Sequence, residues 1–209
     1  MGSTITQTQA SAPLTASEAF YDRLMARRSV KAGMLRAPGP TPEELQRILT
    51  AGTRVPDHGK VEPWRFIAFE GDARRQFGDV LAQTLVAEGA QTGEPVSDAR
   101  LEIERERFER APLVLALITA PQPRPNVPPL EQTLSCGAVG MNVCHAANAL
   151  GFASVWLTEW YAYSVPVHAA LGLAEHEAVA GFIYIGTADE AQSDRARPDV
   201  QALLSHWSP

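Results

Sequence analysis

Three short segments of the 209-residue chain carry residue types that could do chemistry. The first is Arg27-Arg28-Ser29, at the end of a helical stretch. Two guanidinium forks beside a hydroxyl can grip a phosphate or a carboxylate, because each fork offers paired hydrogen bonds. The same cations could instead offset the dipole at a helix C-terminus. The second is Arg54-Val55-Pro56-Asp57-His58-Gly59, running on to Pro63-Trp64-Arg65. Prolines stiffen this donor-rich loop; a plain turn with Trp64 as a core anchor is the alternative. The third is Trp156-Leu157-Thr158-Glu159-Trp160-Tyr161, at the C-terminal end of an expected strand. Open α/β sheets bind ligands at that strand end, so aromatic residues there could wall a planar ligand. A tryptophan cluster in the core is the commoner use of such residues.

The other reactive side chains point away from several mechanisms. His58, His145, His168, His176 and His206 show no zinc-type spacing, alone or with a cysteine pair. Cys136 and Cys144 lie on one expected helix, roughly 12 Å apart at 1.5 Å per residue, too far for a disulfide. Both read as small buried hydrophobes rather than catalytic thiols. Gly-x-Ser-x-Gly, Gly-x-x-x-x-Gly-Lys-Ser/Thr and a post-strand Gly-x-Gly-x-x-Gly are missing. The simplest hydrolase, nucleotide-hydrolysing and dinucleotide-fold readings therefore lack their marks.

The elements that must position these segments follow from periodicity. Thr15 or Ser17 can cap a first helix carrying Phe20, Leu24 and Met25. Thr41-Pro42-Glu43-Glu44 reads as a capping box with proline at the first helical position, and Gly52 as that helix's stop. Arg65–Phe69 is a buried strand, followed by a helix from Gly71-Asp72 to about Gly89. Alternating Glu and Arg from Glu94 to Arg110 predict an exposed helix with i,i+4 pairs. Pro112–Thr119 is apolar throughout, hence a fully buried strand. After the proline-rich loop Pro121–Pro129 comes a helix to Leu150, apolar nearly all round from Leu134 and so expected to be buried on most sides. Phe152–Leu157 and Val179–Gly186 are strands with a short helix between them, and Thr187–Pro209 reads as irregular. Residues 1–15 are expected to be a mobile tail, and residues 16–209 one α+β domain.

Composition agrees with a folded globular chain, at 45% hydrophobic and 20% charged residues. A net charge of −6 argues against a nucleic-acid partner held by a general field. No apolar run approaches the ~18 residues of a membrane span. The N-terminal stretch lacks the basic start and apolar core of a secretory signal. With only two cysteines, the usage fits a reducing cytoplasm.

Taken together, Arg-Arg-Ser, Ala-Gly-x-Arg-x-Pro-Asp-His, Pro-Trp-Arg-Phe, Gly-Phe-x-x-x-Trp and Gly-Phe-Ile-Tyr-Ile-Gly-Thr resemble the flavin-dependent nitroreductase family over about Glu18–Thr187. The resemblance implies a three-layer sandwich, a mixed sheet flanked by helices, in an obligate homodimer with two FMN molecules at the interface. It implies that Arg27, Arg28 and Ser29 hold the FMN phosphate and ribityl chain. Arg54 and His58 would contact a flavin, with the other subunit's open as the one reached. Trp156, Leu157 and Thr158 would line the isoalloxazine. Leu157 stands where relatives often carry a polar side chain, which leaves it a backbone contact. Arg195 and Arg197 are candidates for a C-terminal phosphate contact, and Arg197 is carried forward. The implied activity is ping-pong hydride transfer from NADH or NADPH to a nitroaromatic, quinone or similar acceptor. Such chemistry belongs to the cofactor, so no catalytic acid or nucleophile is expected; His58 is the motif histidine able to donate a proton. A flavin-binding or redox-sensing protein without turnover, and a member reducing a non-nitro substrate, remain open alternatives. A nearly all-apolar helix also favours a second copy as cover, with wrapping by its own chain as the other possibility.

Overall fold

The computed structural model describes residues 15–190 and 192–209. The expected tail, residues 1–15, falls outside these apart from Thr15. Four strands, β1 (Trp64–Phe69), β2 (Leu113–Thr119), β3 (Ala153–Leu157) and β4 (Ala178–Gly186), form one sheet in the order β1-β2-β4-β3. Every pairing is antiparallel, which corrects the expectation of a mixed sheet. The reason lies in the connections. Each strand enters the sheet beside its neighbour in the reverse sense, and no right-handed crossover joins two parallel neighbours.

Seven helices surround the sheet among the described residues: α1 (Glu18–Ala26), α2 (Pro42–Gly52), α3 (Ala73–Thr92), α4 (Asp98–Arg105), α5 (Pro129–Ala149), α6 (Val165–Ala170) and α7 (Val200–Leu203). Alternation along β2 divides the core. Leu113, Leu115 and Leu117 pack with Ile48 of α2 and Val139 and Val143 of α5. Val114, Ala116 and Ile118 pack with Phe77 and Leu81 of α3, Phe108 and Val167. The sheet is thus apolar on both faces, which is why β2 reads as an unbroken apolar run.

Local signals hold where they are chemically specific. Thr41 and Glu44 exchange both hydrogen bonds of the capping box. Ser17 caps α1, its hydroxyl accepting from the Phe20 N–H at 3.3 Å. The charge-rich stretch departs from expectation: it is not one exposed helix. It breaks after α4 into a 3-10 turn, Arg107–Arg110, and buries Glu104, Arg107 and Phe108. Phe108 drives the break by inserting among Phe69, Phe77, Phe182 and Tyr184.

The expectation that α5 is buried on most sides holds from Ser135 to Asn148, where every residue is buried or half-buried, and fails at its first turns. Gln132, Cys136, Val139, Gly140, Val143, Cys144 and Ala147 make one buried face at helical spacing. Leu134, on another face, is 63% exposed. The segment after β4, expected to be irregular throughout, contains the single turn of α7. Among the described residues no helix is long and apolar enough to cross a membrane.

Candidate functional site

Arg27, Arg28 and Ser29 leave the end of α1 and run beside the start of β3, where the Val30 N–H donates to the Ser154 carbonyl at 3.1 Å. This places the arginine pair at the mouth of an open cleft of about 290 Å³, lined also by Asn148, Gly151, Phe152 and Glu190. Arg27 faces the C-terminal half of α5, where its charge, after burial, helps hold the His145 pKa below its ordinary value. Arg28 reaches the C-terminal segment: Nη1 donates to the Ser193 carbonyl and to Asp194 at 3.0 Å. Arg197 donates to the same Asp194 oxygen at 3.0 Å. The Arg195 backbone N–H, then Arg197 and Arg28, keep the Asp194 carboxyl below its usual range. Arg28 and Arg197, two of the sequence candidates, are therefore brought together, while Arg195 contributes its backbone.

Arg54 and His58 lie on a different surface. The loop after α2 is a built structure. Asp57 accepts from the Val61 and Glu62 N–H groups at 3.2 and 2.8 Å, and Gly59, Lys60 and Glu62 are left-handed, with φ of 72°, 51° and 52°. For lysine and glutamate that conformation costs on the order of 1 kcal/mol or more and persists only when surrounding contacts enforce it. Asp57 supplies that contact from within the loop, and α5 anchors the residues before it. Asn142 Nδ2 donates to the Arg54 carbonyl at 3.1 Å, Ser135 Oγ to the Pro56 carbonyl at 2.8 Å, and His58 Nδ1 meets Glu131 at 2.7 Å. His58, Glu131, Leu134 and Ser135 border a second open cleft of about 310 Å³. From Ser135 to Asn148 is roughly 20 Å along the helix axis at 1.5 Å per residue. Within one chain, His58 meets α5 at Glu131 near its start and the Arg54 carbonyl meets it at Asn142, while the Arg27–Arg28 cleft is lined by Asn148 near its end.

At the third segment the side chains divide. Trp156 points to the α5 side of the sheet and fills a slot between Gly140 and Gly181. A Cβ on Gly181 would lie 1.9 Å from the indole nitrogen, and one on Gly140 2.6 Å from the ring. The indole N–H donates to the Ala180 carbonyl at 3.2 Å. Leu157 packs on the opposite core, and Thr158 is exposed at the strand end. Of the three, Trp156 is half-buried in this slot and Thr158 is the one fully exposed.

Sequence reasoning missed the cluster that anchors this strand end. Glu159, next to Thr158, accepts from Arg107 Nη1 at 2.7 Å, Arg110 Nη2 at 2.6 Å and the Tyr161 hydroxyl at 2.6 Å. Fully buried Glu104 is paired with Arg107 and with Arg100, at 2.8 Å to the latter, and accepts from the Trp160 indole at 3.1 Å. Burial opposes the charges of Arg110 and Glu159. Burial is the largest single influence on each, and the hydrogen bonds and charges of their partners, with Tyr184 and Tyr161 among them, together exceed it, raising the arginine pKa and lowering that of the carboxylate. The available signal was Glu104 three residues before Arg107, at ion-pair spacing, flanking an aromatic anchor. Among the described residues no group of histidines, cysteines and carboxylates could hold a metal ion, and Cys136 and Cys144 are free and buried.

With this geometry in hand, comparison with known proteins gives a consistent answer. The family model described as "Nitroreductase family" matches residues 24–187. The Escherichia coli (strain K12) protein named "Putative NAD(P)H nitroreductase YdjA" is 37% identical over 185 residues, covering 88% of this chain and 97% of that protein. A nitroreductase-like family protein from Bacillus cereus shares the fold with a TM-score of 0.77 at 21% identity, over 96% of this chain and 100% of that one. A nitroreductase from Desulfovibrio desulfuricans, solved in complex with FMN, superposes with a TM-score of 0.69 at 21% identity, over 93% and 100% of the two chains.

Proposed function

The chain belongs to the nitroreductase family, and from that premise we propose that it is an FMN-dependent oxidoreductase. In this reading it takes hydride from NADH or NADPH and reduces a nitroaromatic, quinone or similar small acceptor. The observation that carries it is the cleft of about 290 Å³ with Arg27 and Arg28 adjacent at its mouth. The two guanidiniums that line it suit a phosphate monoester; Ser29 follows them in the chain, and Asp194 brings Arg197 alongside Arg28. A phosphate dianion offers Arg28 and Arg197 more charge than the single Asp194 carboxylate they now share. Bound FMN would supply two-electron chemistry, receiving hydride from the nicotinamide and releasing it to the acceptor in alternate half-reactions.

This chain's own residues bind and orient. Arg27, Arg28, Ser29 and Arg197 hold the phosphate end. The strand end at Leu157 and Thr158, fixed by the Glu159 cluster, presents backbone groups to the ring system. The separation of His58, held at Glu131, from that cleft, lined by Asn148, supports a shared site, in which the loop of one copy completes the cleft of the other in a homodimer. The exposed apolar side chains of α1 and of the C-terminal segment, Phe20, Met25, Leu203 and Trp207 among them, are the surface such a dimer would cover.

The visible spectrum of the purified protein tests the proposal. A yellow protein that bleaches on addition of NADH or NADPH and recovers with a nitroaromatic is the expected result. A protein that will not take up FMN rules the proposal out, and a yellow protein inert to both nicotinamides leaves only flavin binding.

A further inference from the structure

We infer that Glu131 is the positioning residue for His58, acting on the cofactor only through that imidazole; the inference rests on the FMN reading above. Glu131, Ser135 and Asn142 fall within about 40° of one another around α5 at 100° per residue. Each holds a different group of the same loop: the His58 ring, the Pro56 carbonyl and the Arg54 carbonyl. Three polar side chains along one line of α5 are thus matched residue by residue to the segment bearing both loop candidates.

Geometry also fixes what the pair does to the ring. Glu131 Oε2 lies 2.7 Å from Nδ1, and a carboxylate can only accept, so Nδ1 carries its proton and Nε2 is left for a ligand. Without the carboxylate nothing selects that tautomer or ring orientation. The residues after His58 are fixed separately: Lys60 and Glu62 are left-handed, and the Asp57 carboxylate accepts from the Val61 and Glu62 N–H groups.

FMN titrations of the wild type, His58→Ala, Glu131→Ala and the double variant decide the matter. Glu131→Ala should weaken FMN binding about 3- to 10-fold and add nothing in the His58→Ala background, since its effect passes through the imidazole. Imidazole proton–nitrogen correlation spectra should show His58 protonated at Nδ1 in the wild type and shifting toward Nε2 in Glu131→Ala. A lost charge at the first turn of α5 would by itself change stability but not this signature. An equal further loss in the double variant, or identical His58 signals in both proteins, overturns the positioning role. Unchanged FMN affinity in His58→Ala removes His58 from the cofactor site and the proposal with it. Should Glu131→Ala fail to fold, Glu131→Leu carries the same two readouts.

Discussion

Arg28 spans 166 residues of sequence to donate to the Asp194 carboxylate at 3.0 Å, and Arg197 donates to the same oxygen at 3.0 Å. The acid gathers two cations at the mouth of the cleft that an FMN phosphate would enter. It therefore both assembles the anion site and competes for it. Truncating Arg28 to alanine should weaken FMN binding about 10- to 150-fold, the equivalent of losing a charge-assisted contact of about 1.5–3 kcal/mol. Asp194→Asn should move affinity the other way, by a few-fold, because the phosphate no longer displaces a carboxylate. Fluorescence titration of the two variants against the wild type measures both; an Arg28→Ala protein with wild-type affinity would exclude Arg28 from the phosphate site.

A second expectation concerns assembly. α1 has no buried residue, and Phe20 is 61% and Trp207 87% exposed in the single chain. Apolar side chains left open on α1, on α5 and after β4 suit burial by a second copy. The protein should therefore be a dimer at micromolar concentration, and FMN at 100 times its dissociation constant should add about 2.7 kcal/mol of stability by mass action. Light scattering that returns 22.6 kDa with and without FMN would count decisively against the shared site.

How far the sequence could be read depends on the range of the physics involved. The Thr41–Glu44 capping box and the β2 run were legible because their signals are local: a cap lies within four residues, and burial on both faces needs no partner to be recognised. The antiparallel order of the sheet was not, because strand sense is set by long connections that composition does not encode. The Glu104–Arg107–Glu159 cluster was hidden for the same reason. Alternating charge reads as a solvated helix unless one knows that Phe108 pulls the stretch into the core. Arg28, Arg54 and His58 were found by residue type, but which surface each occupies was not written in their spacing. Trp156 shows the converse. Its place at a strand end was legible, but the slot that receives its ring is made by Gly140 and Gly181, neither of them adjacent in sequence.

Acid stability should report on Glu177. Arg65 Nε and Nη2 each donate to it at 2.7 Å. That pairing, helped by the Ala174 N–H, draws its carboxyl down to about 2. A depressed folded-state value stabilises the native protein above the unfolded carboxyl pKa of about 4.3 and is lost as pH falls from there toward 2. After allowance for solvent screening at the partly exposed Arg65, the contribution is roughly 1–2 kcal/mol. Urea unfolding of wild type and Glu177→Gln should differ by that amount at pH 7 and converge near pH 2–3. A gap that stays constant across this range would show that the pair does not couple folding to protonation.

The last expectation follows from the slot around Trp156. The indole is bounded by Gly140 and Gly181 and donates to the Ala180 carbonyl at 3.2 Å, so its removal empties a volume that neither backbone can fill. Trp156→Ala should cost about 3–5 kcal/mol as a large cavity and leave the Ala180 carbonyl short of a donor. Gly181→Ala should be damaging for the opposite reason: φ is 151° there, and the new methyl would meet the indole nitrogen. Neither change touches the exposed Thr158. If Trp156 serves the fold alone, the folded fraction of Trp156→Ala, at saturating FMN, should be reduced by NADPH at the wild-type rate in stopped-flow measurements, with a superimposable flavin spectrum. A shifted spectrum or a slowed reduction would instead mean that the indole senses the cofactor through the strand it supports.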